Sequence, residues 1–161
     1  MQIVPACRVS RHLSGILAIC SLVLSPWAFA AVSTEPTLVL VMAPGAPHAV
    51  TSRETVALIF NRKKHFWDDG TRIQPVNLSA THPLRRAFSQ QIFGHTPEEL
   101  EDYWRELYFH GELPPYVLAS EEAVMRFVAA TPGAIGYVSH CVADHRVSVV
   151  MQLDSGAPCP H

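Results

Sequence analysis

Positive charge is in short supply. The 161 residues hold 12 Lys and Arg against 14 Asp and Glu, for a formal net charge of −2 at pH 7. That excludes a general nucleic-acid binder and a protein held by acidic membranes, since both need a basic surface. Any site for an anion must therefore be local. Catalytic signatures are missing too: there is no glycine-rich nucleotide loop, no nucleophile elbow and no paired-histidine zinc helix. With no visible nucleophile–base pair, an enzyme is not expected, and no cofactor is implied. Internal repeats, low-complexity tracts and a second domain are also lacking.

Cysteine is scarce, with 4 in the chain, and long apolar runs are confined to the start. Arg8, Arg11 and His12 make a basic opening, "LSGILAICSLVL" (13–24) a short apolar core, and "SPWAFA" (25–30) ends on Ala28-Phe29-Ala30. Small residues at the last and third-last positions are what a signal peptidase reads, so residues 1–30 are expected to be a cleaved signal peptide. The competing reading is a lipoprotein modified at Cys20, but Ile19 is larger than that site usually accepts. Cleavage removes two arginines and no acid, which leaves residues 31–161 as a more acidic, periplasmic domain. Of the cysteines it keeps Cys141 and Cys159. An even pair in an oxidising compartment is expected to form one disulfide, stapling the C-terminal tail to the core.

Along this domain, strand and helix patterns alternate. "TLVLVM" (37–42) reads as a buried strand, and Thr51 with Glu54 as a capping box before a helix bearing Val56, Ile59 and Phe60. "RKKHFWDDG" (62–70) is a polar loop with two aromatics, Phe66 and Trp67. "RIQPVNL" (72–78) alternates like a strand that Pro75 demotes to an edge or irregular one. A helix then follows Pro83, with Leu84, Ala87, Phe88 and Ile92 on one face and Gly94 as its stop. Thr96-Pro97-Glu98-Glu99 opens the clearest helix in the chain, with Leu100, Tyr103, Trp104, Leu107 and Tyr108 at helical spacing. "PYVLA" (115–119), a helix capped by Ser120, "PGAIGYVSH" (132–140) and "RVSVVMQL" (146–153) complete the pattern. This order predicts an α/β fold with a mixed, mostly parallel sheet flanked by helices.

Chemistry could sit in two places. His140-Cys141 with Asp144-His145 is a dense set of ligand types, but neighbours on a strand end point to opposite faces, so a surface turn with a disulfide cysteine is the expected reading. The other place is "LSATHPLRRAF" (78–88), where Pro83 as first helical residue puts Arg85 and Arg86 in a first turn that disfavours cations. The Ser79 and Thr81 hydroxyls, free N–H groups of the helix start and Arg85 could converge there on phosphate or another small oxyanion. The plainer alternative is that Thr81 or His82 caps the helix while both arginines extend into water or pair with glutamate. Asn77-Leu78-Ser79 is a glycosylation sequon inside the same stretch.

The order of motifs carries a resemblance. A helix ending "ALIF", a loop with Trp and Asp-Gly, a strand, Ser-x-Thr before a helix with Phe, and "PGAIGYV" together resemble the phosphate-binding protein of bacterial phosphate ABC transporters. "YW…LYFHGELPP" (103–115) is similar to the short, single-lobe members of that family, and the resemblance spans about residues 37–139. It implies one lobe of a type 2 periplasmic-binding fold. Family members bind phosphate partly through an Arg-x-x-x-Ser-Gly-Thr element, which maps here onto Ser79, Ala80 and Thr81, with Pro75 at the arginine position. Arg62 stands where a glycine is usual after "IF" and one residue.

The expectation is thus an exported solute-binding lobe holding phosphate or a similar oxyanion at Ser79, Ala80, Thr81 and Arg85, with an ABC transporter membrane component as partner. From a different class, the alternative is a ligand-free interaction module that uses an apolar face around Phe66, Trp67 and Tyr116 to bind a protein, including a second copy of itself.

Overall fold

The computed structural model describes residues 37–47, 50–154 and 159. The expected signal peptide, with the Cys20 alternative, lies outside the described residues. Strand β1 (Leu38–Met42) is wholly buried, as a continuous run of large apolar and β-branched residues requires. Helix α1 (Arg53–Phe60) follows, buried through Val56, Ile59 and Phe60. Its cap is Ser52 rather than Thr51: the Ser52 hydroxyl accepts the Thr55 N–H at 3.2 Å. Next come β2 (Gln74–Leu78), α2 (Pro83–Phe93) and α3 (Glu101–Phe109). The chain finishes with β3 (Tyr116–Leu118), α4 (Glu121–Ala130), β4 (Ala134–Ser139) and β5 (Ser148–Gln152).

The five strands form one sheet in the order β3-β2-β4-β1-β5. Those on the β2 side pair in parallel, β3 with β2 and β2 with β4, while β4 with β1 and β1 with β5 are antiparallel. The mixed α/β sheet expected from the sequence is therefore present, half of its junctions parallel. Pro75 corrects one expectation, because β2 is an interior strand. The two ladders on it are offset: β4 pairs with Gln74 and Pro75, and β3 begins only at Val76. The proline thus stands outside the β3 ladder, which is how an interior strand tolerates it.

Both glycines of "PGAIGYV" have a packing reason. Gly133 has φ +74°, and a Cβ there would lie 2.3 Å from the Arg72 carbonyl oxygen. At Gly136 a Cβ would meet Val124 Cγ1 at 2.6 Å and Val76 Cγ2 at 3.0 Å, so its absence is what lets α4 lie against β4. Trp67 anchors the preceding loop, being 4% exposed with its indole N–H donating to the Gly133 carbonyl at 3.1 Å. A Phe60–Phe88–Tyr137 cluster fills the space between α1, α2 and β4, with Phe88 and Tyr137 stacked at 4.1 Å.

The C-terminal end is tied down at several points. The Leu38 N–H donates to Asp154 Oδ1 at 2.9 Å, and the Arg53 guanidinium donates to the Leu153 carbonyl. The expected Cys141–Cys159 disulfide is present, with a sequence separation of 18. Closing a loop of this size is worth about 3 kcal/mol in the chain-entropy model.

Arg146 ties the turn before β5 to α4. Its Nη1 and Nη2 donate to the two Glu122 oxygens at 2.7 and 2.9 Å, and its Nε and Nη2 to Asp144. These side-chain bonds, with the Arg146 backbone N–H, hold the Asp144 carboxyl at about 2 against an ordinary 3.8. A folded-state pKa below the unfolded one gives stability that is complete above about pH 4 and lost as pH falls through about 2. Asp144→Asn is accordingly expected to melt below the wild type at pH 6, with the gap closing as the pH is lowered towards 2. Thermal unfolding followed by circular dichroism checks this, and a gap of constant size across that range contradicts it.

Candidate functional site

Helix α2 begins at Pro83 with His82 as its cap, the imidazole Nδ1 accepting the Leu84 N–H at 3.3 Å. The Arg85 and Arg86 N–H groups reach back to the His82 carbonyl at 3.0 and 3.2 Å. Proline has no N–H, so the donors of the helix start are taken up locally instead of standing open. The Ser79 and Thr81 hydroxyls lie 3.1 Å apart and bond each other. The two arginines part company. Arg86 is half exposed and pairs with Glu98 at 2.6 Å, whereas Arg85 is buried.

Arg85 is the unusual group. It is 7% exposed, and among the described residues no carboxylate pairs with it. Its Nη1 donates to Asn77 Oδ1, an atom that also accepts the Tyr137 hydroxyl at 3.2 Å. The Tyr137 oxygen in turn accepts the Leu78 N–H at 3.2 Å. Burial raises the Tyr137 pKa, with the Arg85 charge pulling the other way. Desolvating a guanidinium against neutral acceptors alone is costly, because no opposite charge offsets what water supplied.

This cation opens onto a recess of about 470 Å³ at the carboxyl end of β2. Asn77, Ala80 and Arg85 line one part of it, and Trp104 and Tyr108 of α3 with Val117 of β3 line another. The position follows from topology: the chain leaves β2 for β3 on one side of the sheet, and β4 lies on the other. Crevices outside strand carboxyl ends at such a reversal are where open α/β sheets hold ligands. Of the four expected residues, Ala80 and Arg85 line the recess, while Ser79 and Thr81 stand beside it as a bonded pair.

Asn77 and Tyr137 were not anticipated as site residues. Asn77 is 3% exposed with its side chain committed to Arg85 and Tyr137, which leaves no room for a glycan on the sequon. A buried asparagine in an otherwise apolar strand was the available signal, since such a group needs partners. Trp67, expected on an interaction face, belongs to the core, and of that trio only Phe66 (56% exposed) and Tyr116 (69%) are on the surface. The His140 turn carries the disulfide, and among the described residues no group of three potential metal ligands comes together.

The fold is similar to part of several larger solved structures. The structure is similar to a protein described as a phosphate ABC transporter substrate-binding protein, solved with bound phosphate, from Clostridium perfringens. There the TM-score is 0.59 and the identity 20%, over 71% of this chain and 44% of that one. It is also similar to an ABC-type phosphate transport receptor from Vibrio cholerae, with a TM-score of 0.57 and 18% identity over 71% and 45% of the two chains. For PstS from Borrelia burgdorferi the values are 0.53 and 18%, over 77% and 49%. The chain thus spans under half the length of the solved structures it matches. No family model matches the sequence, and no curated protein matches it.

The network makes Tyr137 the support of the cation. Tyr137→Phe keeps the ring stack on Phe88 but leaves the buried Leu78 N–H without an acceptor and removes one donor from Asn77. A loss of about 1–3 kcal/mol in urea unfolding is expected. A change within about 0.3 kcal/mol would show the hydroxyl to be dispensable.

Proposed function

We propose that this protein is an exported solute-binding lobe that holds phosphate or a similar small oxyanion at Arg85, assisted by Ala80 and by the Ser79 and Thr81 hydroxyls. The carrying observation is the buried Arg85 guanidinium, which has no carboxylate partner among the described residues and faces a recess at a strand carboxyl end. An oxyanion supplies the missing charge and accepts the fork of donors that arginine presents. Serine and threonine hydroxyls need only exchange their mutual bond for one to the ligand. The fold shared with phosphate-binding proteins supports the choice of anion, and an ABC transporter membrane component is the partner it suggests.

Isothermal titration with phosphate and with sulfate tests the reading. Heat is expected from at least one anion at millimolar concentration. Arg85→Gln should weaken binding about 10–100-fold, the worth of hydrogen bonds from a charged group. The Ser79→Ala, Thr81→Ala double variant, which spares the buried network, should weaken it by a smaller factor. No heat and no thermal shift with either anion would remove the binding function and leave the fold as described.

A second reading, a protein-interaction module that includes self-association, is favoured by one specific surface. Phe109 (76% exposed), Leu113 (61%) and Tyr116 (69%) lie where α3 runs into the edge strand β3. Apolar side chains gathered at a sheet edge are a common docking surface. Light scattering across a hundredfold concentration range is expected to show a mass that rises towards the dimer. A constant monomer mass, unchanged in Phe109→Glu, contradicts self-association.

A further inference from the structure

We propose that the ligand of the Arg85 recess is an organic oxyanion, a phosphate monoester or similar group with a planar apolar body, rather than a bare inorganic ion. The inference rests on the oxyanion reading above and names its substrate class. A free tetrahedral oxyanion has no apolar surface and asks only for donors around it. The recess sets such donors, Arg85 chief among them, beside a largely apolar lining. Its volume, about 470 Å³, falls among sites for small organic molecules and leaves most of its space to water around an inorganic ion.

The rest of the wall is of another kind. Helix α3 has an apolar stripe, yet none of its residues is buried. Tyr103 uses its hydroxyl on the Asn61 carbonyl at 2.9 Å, but Trp104 and Tyr108 line the recess, together with Pro97, Pro114, Pro115 and Val117. Among the described residues the Trp104 indole N–H and the Tyr108 hydroxyl have no hydrogen-bond partner. Two aromatic side chains with free polar tips therefore share the recess with a desolvated cation. Aromatic rings present an apolar face to a planar ligand while their tips reach its polar substituents.

Charge placement narrows the class further. Arg105 lines the recess but is committed to Asp102 at 2.6 Å, and Glu101 adds an unpaired carboxylate. An anion is favoured at Arg85 and opposed near Glu101, so the ligand carries its negative charge at one end. A monoester fits this pattern, and a molecule carrying negative charge at both ends does not.

The test is isothermal titration of the full chain with phenyl phosphate and with inorganic phosphate, alone and in competition. Phenyl phosphate is expected to bind about tenfold tighter or better and to displace inorganic phosphate. Trp104→Ala should bring its affinity down to that of inorganic phosphate while leaving the latter unchanged. Because α3 buries none of its residues, this variant is expected to fold, and Tyr108→Ala, at a position 63% exposed, repeats the measurement independently. Equal or weaker binding of phenyl phosphate, or tighter binding that survives both substitutions, overturns the inference while leaving the oxyanion reading in place. Binding of neither compound overturns both.

Discussion

The structure around the recess depends on keeping a guanidinium out of water without a carboxylate beside it. Arg85 is held by Asn77, Asn77 is shared with Tyr137, and Tyr137 closes the chain of bonds on the Leu78 backbone. Each member comes from a different place: α2, the end of β2, and β4. The stack of Tyr137 on Phe88, one turn along from Arg85, adds an apolar contact that fixes the same ring whose hydroxyl joins the network. A partly satisfied polar cluster in a low dielectric is expensive, so the position of α2 over the sheet and the rotamers of these three side chains are determined together. The apolar packing of β1, β4 and α4 would tolerate small shifts that this cluster would not.

Helix α3 is the second organising feature, for the opposite reason. Its sequence has the strongest helical apolar pattern in the chain and a working capping box, with the Thr96 N–H on Glu99 Oε2 at 2.7 Å and the Glu99 N–H on Thr96 Oγ1 at 3.4 Å. The box closes a turn at 97–100, and the regular helix begins only at Glu101. An amphipathic pattern normally marks the face turned to the core. Here the core is complete without it, and the stripe forms the wall of a recess and part of the surface. The burial that stabilises most helices in a domain is largely missing from this one. Its apolar side chains are available for a ligand or a partner.

The sequence made the elements legible because local chemistry decides them: the buried run of β1, Pro83 and Gly94 bounding α2, and the Ser120 cap. The errors came where long-range packing decides. Pro75 sits in an interior strand because two ladders are offset, and Ser52 displaces Thr51 as a cap because the chain turns one residue later. Trp67 is in the core because the Gly133 carbonyl is positioned to receive its N–H. In the site, nothing local separates Arg85 from Arg86, which share the first turn of α2. The partners that bury Arg85 lie on strands 8 and about 50 residues away in the chain, and no spacing rule connects them.

A recess open to water faces a particular energetic limit. Sites for small molecules ordinarily cover most of the ligand's surface, and an open recess covers less of it. What it can supply is preorganisation. The fork of Arg85 is already desolvated and its side chain already ordered, so a ligand reaching it meets neither the rotamer entropy nor the full dehydration cost of an arginine on the surface. The price is met during folding, by Asn77 and Tyr137, before any ligand arrives. Affinity for a purely polar ion then depends on a few donors that remain partly wet. Each aromatic ring brought into contact adds apolar burial that water competes for poorly. Under the proposed reading, selection on an open cleft shifts from the charged head, which many anions share, to the body attached to it.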